Sequence, residues 1–198
     1  SIDLKRLVLR GSNTSFDSLS SRYSFESLAF TKLRSVYRMR TGTELVDSDF
    51  VSFELMDEAG KLTNAGVLLA DDSPMRHSRL FCTRWYGLDK ASGIMEALDD
   101  KEYSGSLVSL LQEGTNFVKN NSKKRWRKPG NGRIEMPEYP EQAVHEVIVN
   151  ALIHRDYTEI GSEVHIDIFD DRLEVYSPGG MLDGSIVQNL DTDHVASK

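Results

Sequence analysis

Glu146 and Asn150 are the residues whose types and spacing most directly suggest chemistry. They stand four positions apart in the stretch 141–154, whose apolar residues recur at helical spacing, so both side chains project from one stripe of a helix. A carboxylate in such a stripe can polarise a water molecule, and an amide oxygen is a hard ligand that magnesium accepts together with waters and phosphates. The spacing fits equally well an ordinary polar stripe in which the two side chains only contact each other.

The helix that must position these two residues is apolar nearly all round. On a helical wheel, its broad apolar face comprises Val144, Val147, Ile148, Ala151 and Leu152, and the apolar Val149 and Ile153 lie toward the other side. Such a helix is expected to be buried on most sides, and a carboxylate among apolar neighbours is costly unless it is paired, hydrogen-bonded or used. Pro140 and Glu141 suit the start of the helix. At its end, Arg155 either caps the helix, pairs with Asp156 or reaches a phosphate.

A β-hairpin is predicted directly after this helix. Residues 164–169 and 173–176 alternate between apolar and polar types, with a turn at 170–172. The second strand runs into Ser177, Pro178, Gly179 and Gly180. Glycines have no Cβ, so the backbone at this turn can approach a ligand closely.

The helix and the turn together carry a family resemblance. Residues 146–151, Glu-Val-Ile-Val-Asn-Ala, resemble the N box of GHKL ATPases (gyrase, MutL and Hsp90-type chaperones), and Ser177-Pro-Gly-Gly180 stands in the place of their first glycine box. The resemblance implies ATP and magnesium as ligands, Glu146 as the base that activates water, and Asn150 as the magnesium ligand. It also implies a set of nucleotide-binding residues: Asn150, Arg155, Ser177, Gly179 and Gly180.

A longer resemblance extends over most of the chain. Residues 139–157 and 169–180 are similar to a bacterial and archaeal family usually labelled transcriptional regulators or RecG-like helicases. Members of that family place a divergent GHKL module after a Schlafen/AlbA-type domain. Residues 62–69 and 86–87 match its middle region, and residues 8–12 resemble the tail of the AlbA-type domain.

The predicted fold class is α/β (α+β), with a middle α/β subdomain followed by a partial GHKL (Bergerat-like) helix and β-hairpin sandwich. Residues 1–22 are expected to hold the AlbA-type tail and a serine-rich connector. Residues 23–133 are expected to form the middle subdomain, and residues 134–198 the first part of the GHKL-like module, truncated. Both ends look cut, which suggests part of a longer protein. The predicted elements are strands over 2–10 and 79–86, helices over 25–39, 47–56 and 106–120, and a short helix with strand-like apolar residues over 62–70.

Two departures bear on ATP chemistry. GHKL enzymes usually have an aspartate at the head of the glycine box, where this chain has Ser177, and no glycine-rich lid is visible before Lys198. A Gly-x-x-x-x-Gly-Lys-Ser/Thr loop is also absent from the sequence, so the helicase label gains no support. Three hypotheses follow: a DNA-binding transcriptional regulator whose module senses nucleotide, a magnesium-dependent ATPase with Glu146 as base, and a non-enzymatic interaction scaffold.

Residues 119–133 are strongly basic and contain no acid. An aromatic residue among cations can contact phosphates and stack on a base, whereas the simpler interpretation is a solvated linker anchored by Trp126. The candidate nucleic-acid residues are Lys123, Lys124, Arg125, Trp126, Arg127 and Lys128.

Composition sets the remaining expectations. The net charge of -7 over 198 residues argues against nucleic-acid binding spread over the whole surface, so DNA is expected as a partner mainly through other domains. Cys82, the single cysteine, is expected to pack inside a strand and fits a cytoplasmic protein. No apolar run reaches the length of a membrane span, and no membrane partner is expected. A nucleotide is the expected small-molecule partner, and a homo-oligomer is compatible with the sequence.

Overall fold

The computed structural model describes residues 15–90, 96–128, 132, 134–159 and 161–179. Helices and strands are mixed along these residues, which confirms the predicted α+β class. The helices are α1 Thr31–Thr41, α2 Asp47–Ser52, α3 Asn64–Leu69, α4 Leu107–Asn121 and α5 Glu141–Ile153. The strands are β1 Ser20–Ser24, β2 Lys61–Thr63, β3 Arg79–Trp85, β4 Ala97–Ser104, β5 Lys124–Arg127, β6 Ile134–Pro137, β7 Val164–Ile168 and β8 Leu173–Tyr176.

A four-stranded sheet with the order β4-β3-β7-β8 forms the centre of the fold. β3 runs parallel to β7, with Leu80 opposite Val164 and Arg84 opposite Ile168, and the two outer pairs are antiparallel. Strands from before and after residue 133 therefore share one hydrogen-bonded layer. The domain bounds with a division at 133/134 stay a prediction.

Helices α4 and α5 cover one face of the sheet. Side chains alternate across a strand, so every second residue of β3 and β7 points toward the helices. Gly114 of α4 lies so close to the sheet that a Cβ there would stand 2.8 Å from Leu80 Cδ2. The shared core contains Leu80, Cys82, Leu110, Phe117, Val118, Val144, Ile148, Ala151, Leu152, Val164, Ile166 and Ile168.

A second, aromatic-rich cluster lies in the N-terminal part of the described chain. The Phe30 and Phe50 rings meet edge-on at 4.9 Å. Asp71 caps the start of α1, because its carboxylate accepts hydrogen bonds from the Thr31 backbone nitrogen at 2.8 Å and the Lys32 backbone nitrogen at 2.9 Å. Burial opposes the charge on Asp71, but these bonds and that from the Thr31 hydroxyl outweigh it and lower the pKa of the carboxyl. Helix α1 thus has a fixed starting point.

Several predicted elements differ from the observed ones. The helix expected over 25–39 begins only at Thr31, because residues 25–27 form a 3-10 turn. The expected order over 62–70 is reversed, since β2 comes first and α3 follows. The serine-rich stretch 11–27 contains β1, which pairs with β2, and is not a pure connector. The strand expected over 2–10 lies outside the described residues.

The basic segment is a hairpin and not a linker loop. β5 and β6 pair in antiparallel register, with Trp126 opposite Glu135. Trp126 is 56% exposed, so burial of its ring does not anchor the segment.

Candidate functional site

Helix α5 has one buried face and one open face. Val144, Ile148, Ala151 and Leu152 are buried against the sheet and α4. The expectation that the helix is buried on most sides is wrong, because Val147 is 40% exposed and Ile153 is 56% exposed. Glu146 and Asn150 lie on the open side, and both are exposed. The carboxylate is therefore hydrated, and its presence needs no compensation for burial.

An open groove of about 770 Å³ runs along this side of α5. It contains both residues of the predicted Glu146–Asn150 stripe and brings one residue from α1 and one from α4 next to them. The lining residues are Arg40, Thr115, Glu141, Gln142, His145, Glu146, Val149 and Asn150.

The hydrogen bonds of the stripe are local. Gln142 Nε2 donates to Glu146 Oε1 at 3.0 Å, one helical turn away. The backbone oxygen of Asn150 accepts from the His154 nitrogen at 3.0 Å and closes the helix, and Asn150 also lines the groove. The Glu146 and Asn150 side chains therefore leave the helix at positions that differ by about 6 Å along its axis, and both line the groove.

The glycine turn is fastened to the C-terminal end of α5. Ser177 Oγ donates to the Ala151 carbonyl at 2.7 Å, and the Asp156 nitrogen donates to the Pro178 carbonyl at 2.9 Å. Ser177 thus satisfies one of the last helix carbonyls, which have no partner within the helix. Gly179 is exposed and has φ 140°, a conformation that favours glycine. Gly180 lies outside the described residues.

Arg155 is turned into the protein and is not part of the groove wall. Its side chain is buried, its Nη2 donates to the Ser162 carbonyl at 2.7 Å, and its guanidinium lies 4.6 Å from the centre of the Tyr157 ring. Burial lowers the pKa of Arg155. These contacts order the loop that follows α5, so the predicted phosphate contact of Arg155 gains no support from its position.

The basic hairpin presents most of its predicted residues to solvent. Residues 124–128 are all exposed, and Lys128 Nζ lies 5.8 Å from the centre of the Trp126 ring. Lys123 differs, because its Nζ donates to the Asp170 carbonyl at 2.6 Å and so ties the base of the hairpin to the turn between β7 and β8.

Cys82 is buried between the sheet and the helices. Burial is the main cause that raises the pKa of its thiol to about 12, and nearby carboxylates, with Asp100 first, add to it. A thiol of this kind packs as a small apolar group and is a poor nucleophile.

The donors in the groove fit a magnesium–nucleotide ligand. Magnesium prefers oxygen ligands and keeps several waters, so one amide oxygen together with phosphates can hold it. Asn150 offers such an oxygen to an open groove, and Glu146 offers a carboxylate beside it. Among the residues that the structure describes, no group of three or more His, Cys, Asp or Glu side chains gathers to hold a metal.

The comparison with protein families places a recognised module at the end of the chain. Residues 161–198 match the family described as "Putative ATP-dependent DNA helicase recG C-terminal". An ATPase-type module of the RecG-related kind is therefore supported here, and this match includes β7, β8 and the glycine turn. No curated protein matches the chain.

A solved structure has the same fold over most of the chain. It is the crystal structure of the DIP2311 protein from Corynebacterium diphtheriae, which superposes with a TM-score of 0.69 at 21% sequence identity. The match covers 89% of this chain but 36% of the other, so the chain spans about a third of that protein's length. In the described part of the chain no helix has the length and apolar character needed to cross a membrane.

The sequence does not reveal two residues of the groove wall. Arg40 and Thr115 lie far from α5 in the chain, and only the packing of α1 and α4 brings them to the groove. Neither residue belongs to a motif with a recognisable pattern, so no local signal in the sequence points to them.

Proposed function

We propose that this chain carries a nucleotide-sensing module of GHKL type in a DNA-binding regulator. A nucleotide with magnesium lies in the groove along α5, Asn150 holds the metal together with the phosphates, and the turn at Ser177 and Gly179 lies at the other end of the ligand. Bound magnesium would supply charge neutralisation for the phosphates.

One observation carries this proposal: the glycine turn is bonded to the C-terminal end of the helix whose open face holds Glu146 and Asn150. The bonds from Ser177 to Ala151 and from Asp156 to Pro178 fix this arrangement within the described fold. Two sequence features that resemble separate boxes of one family are thereby joined at the C-terminal end of a single helix. A chance pair of motifs gives no reason for such contact.

Binding is better supported than rapid hydrolysis. Glu146 is exposed, and one of its carboxylate oxygens is bonded to Gln142. Ser177, which stands where GHKL enzymes have an aspartate, donates a hydrogen bond from its hydroxyl to a helix carbonyl. A site open to water also stabilises developing charge less effectively than an enclosed one. These features favour a nucleotide sensor, and the ATPase and the non-enzymatic scaffold are the two alternatives to it.

Calorimetric titration of the full chain with ATP and magnesium tests the proposal. We expect the unaltered chain to bind and Asn150→Ala to lose about tenfold or more in affinity, because the metal loses its protein ligand. Asn120→Ala is the matched control, since Asn120 is an exposed amide on α4 outside the groove. Absence of binding by the unaltered chain would favour the scaffold.

Glu146→Gln separates the sensor from the ATPase. A true general base would lose turnover on this change while nucleotide binding persists. Under the sensor proposal, the ATP hydrolysed per hour is close to background for both the unaltered chain and Glu146→Gln. Turnover well above background that disappears in Glu146→Gln would establish the ATPase.

The exposed hairpin is the proposed DNA contact within this chain. It presents Lys124, Arg125, Arg127 and Lys128 around an exposed Trp126, which suits phosphates and a stacked base. Each cation that contacts a phosphate makes DNA affinity more sensitive to salt: the logarithm of the binding constant falls by about one further unit for each tenfold rise in salt concentration.

DNA binding measured over a range of salt concentrations tests this contact. Replacing Lys124, Arg125 and Arg127 with glutamine should reduce the salt slope by about two to three units. Replacing the exposed Arg38, Lys61 and Lys101 elsewhere on the surface is the charge-matched control. An equal change in both variants would show that only net charge matters.

A further inference from the structure

Arg40 connects helix α1 to the wall of the groove. Its Nη2 lies 2.8 Å from His145 Nε2, and the two residues are 105 positions apart in the sequence. Arginine can only donate, so His145 Nε2 is the acceptor in this contact. His145 is the neighbour of Glu146 on α5, so the guanidinium stands beside the predicted stripe.

The charges of the groove make Arg40 distinctive. Of the described lining residues it is the only arginine or lysine. Glu141 lies at the same end but is paired with Lys119 outside the groove at 2.8 Å. An anion that enters the groove therefore meets one permanent cation, and in the described structure that cation contacts an imidazole nitrogen, a weaker partner than a phosphate.

The order of residues along α5 places Arg40 at a specific end of the ligand. The glycine turn contacts the helix at Ala151. Asn150 and then Glu146 come next toward the N-terminus of the helix, and the Arg40–His145 contact follows them. A nucleotide whose nucleoside lies near the glycine turn and whose metal is at Asn150 directs its last phosphate toward Arg40.

We propose that Arg40 is the residue that recognises the terminal phosphate of the bound nucleotide, leaving His145 when a triphosphate is present. This inference rests on the proposed nucleotide site and adds its specificity: the triphosphate is distinguished from the diphosphate by a cation from α1.

Contacts with neighbouring residues hold the start of helix α1, and Arg40 lies near its end. Its first turn is held by Asp71, and Lys32 Nζ donates to Ser109 Oγ of α4 at 2.9 Å. Arg40 stands in the last turn, next to the end of the helix at Gly42. A new partner for Arg40 would therefore act on the last turn of a helix whose first turn is held by Asp71.

The test compares the affinities of the full chain for ATP and for ADP, each with magnesium, by calorimetry. Arg40→Gln should lower the affinity for ATP about tenfold, because a charge-assisted bond to the last phosphate is lost, and should leave the affinity for ADP nearly unchanged. Arg38→Gln is the matched control: Arg38 lies in the same turn of α1 and pairs with the exposed Glu44. It should leave both affinities unchanged.

A second variant separates phosphate recognition from a structural role of the pair. His145→Ala breaks the same contact but leaves the cation, so it should keep or raise the affinity for ATP. If His145→Ala and Arg40→Gln weaken ATP and ADP equally, the pair is structural and the inference is wrong. Unchanged ATP affinity in Arg40→Gln, with Asn150→Ala still deficient, overturns the role of Arg40 alone. No ATP binding by the unaltered chain overturns this inference and the nucleotide site together.

Discussion

The two faces of α5 are made from adjacent residues of one helix, but one face is buried in the core and the other is exposed in the groove. On the sheet side, Ile148 is 0% exposed and sits in a core shared with α4, β3 and β7. On the groove side, Glu146 and Asn150 are exposed, and the Glu146 carboxylate accepts a hydrogen bond from Gln142, one helical turn away. Packing determines the residue types of the first face, while it places no such demand on the second.

This difference teaches where function can be sought in the fold. A buried apolar residue is explained by the core that it completes. An exposed carboxylate and amide on a groove contribute little to stability, so their types are open to be set by a ligand. The comparison predicts that substitutions on the two faces act on different measurements, and each prediction below tests that division.

Ile148→Ala should have the largest effect on stability. The side chain is fully buried between α5 and the sheet, and its truncation leaves a cavity, so the free energy of unfolding should fall by about 2–5 kcal/mol. Urea denaturation measures this loss. Val147→Ala, its exposed neighbour, is the control and should change the free energy of unfolding by no more than about 0.5 kcal/mol. Equal losses would mean that both faces are packed.

Cys82 extends the test of the buried side to alkaline pH. The folded pKa of about 12 is above the ordinary value of 9.0, so the fold favours the neutral thiol. The neutral thiol contributes its full share of the free energy of unfolding below pH 9. This contribution is lost as the pH rises toward the folded pKa, by at most about 1.4 kcal/mol per pH unit. Urea denaturation of the unaltered chain and of Cys82→Ala between pH 8 and pH 10 measures this, and identical slopes would contradict it.

Strong local patterns made α5, α4 and the β7–β8 hairpin predictable. Each has an apolar period that matches its observed structure, and the predicted bounds differ from the observed ones by a residue or two. The helical wheel also indicates the buried side of α5, since four of the five residues on its broad apolar face are buried. The fifth, Val147, is 40% exposed, because periodicity does not fix where the edge of a wide apolar face lies.

Elements that depend on distant partners could not be predicted. β4 has a largely polar sequence and forms because β3 offers it a hydrogen-bonding edge. The basic composition of 119–133 gives no sign of a strand, whereas residues 124–127 pair with residues 134–137 as β5 and β6. The Arg40–His145 contact joins residues 105 positions apart. Tertiary context decides all three, and a single sequence contains no local signal for them.

Ser177→Ala sharpens the comparison where the two faces meet, at the end of α5. The hydroxyl donates to the Ala151 carbonyl, and its loss leaves that carbonyl without this partner, so the free energy of unfolding should fall by about 1 kcal/mol. Ser177→Thr retains a hydroxyl and should lose less. If the serine instead serves the ligand alone, stability is unchanged in both variants and only the ATP affinity falls.

Glu146→Ala should have the smallest effect on stability, although Glu146 stands two positions from Ile148. The carboxylate is exposed, and the hydrogen bond from Gln142 is one that water can replace. Alanine is also the best helix former, which offsets the small loss. The free energy of unfolding should therefore change by no more than about 0.5 kcal/mol in urea denaturation. A loss of 2 kcal/mol or more would show that Glu146 holds the fold together, and the groove face would then be structural like the buried one.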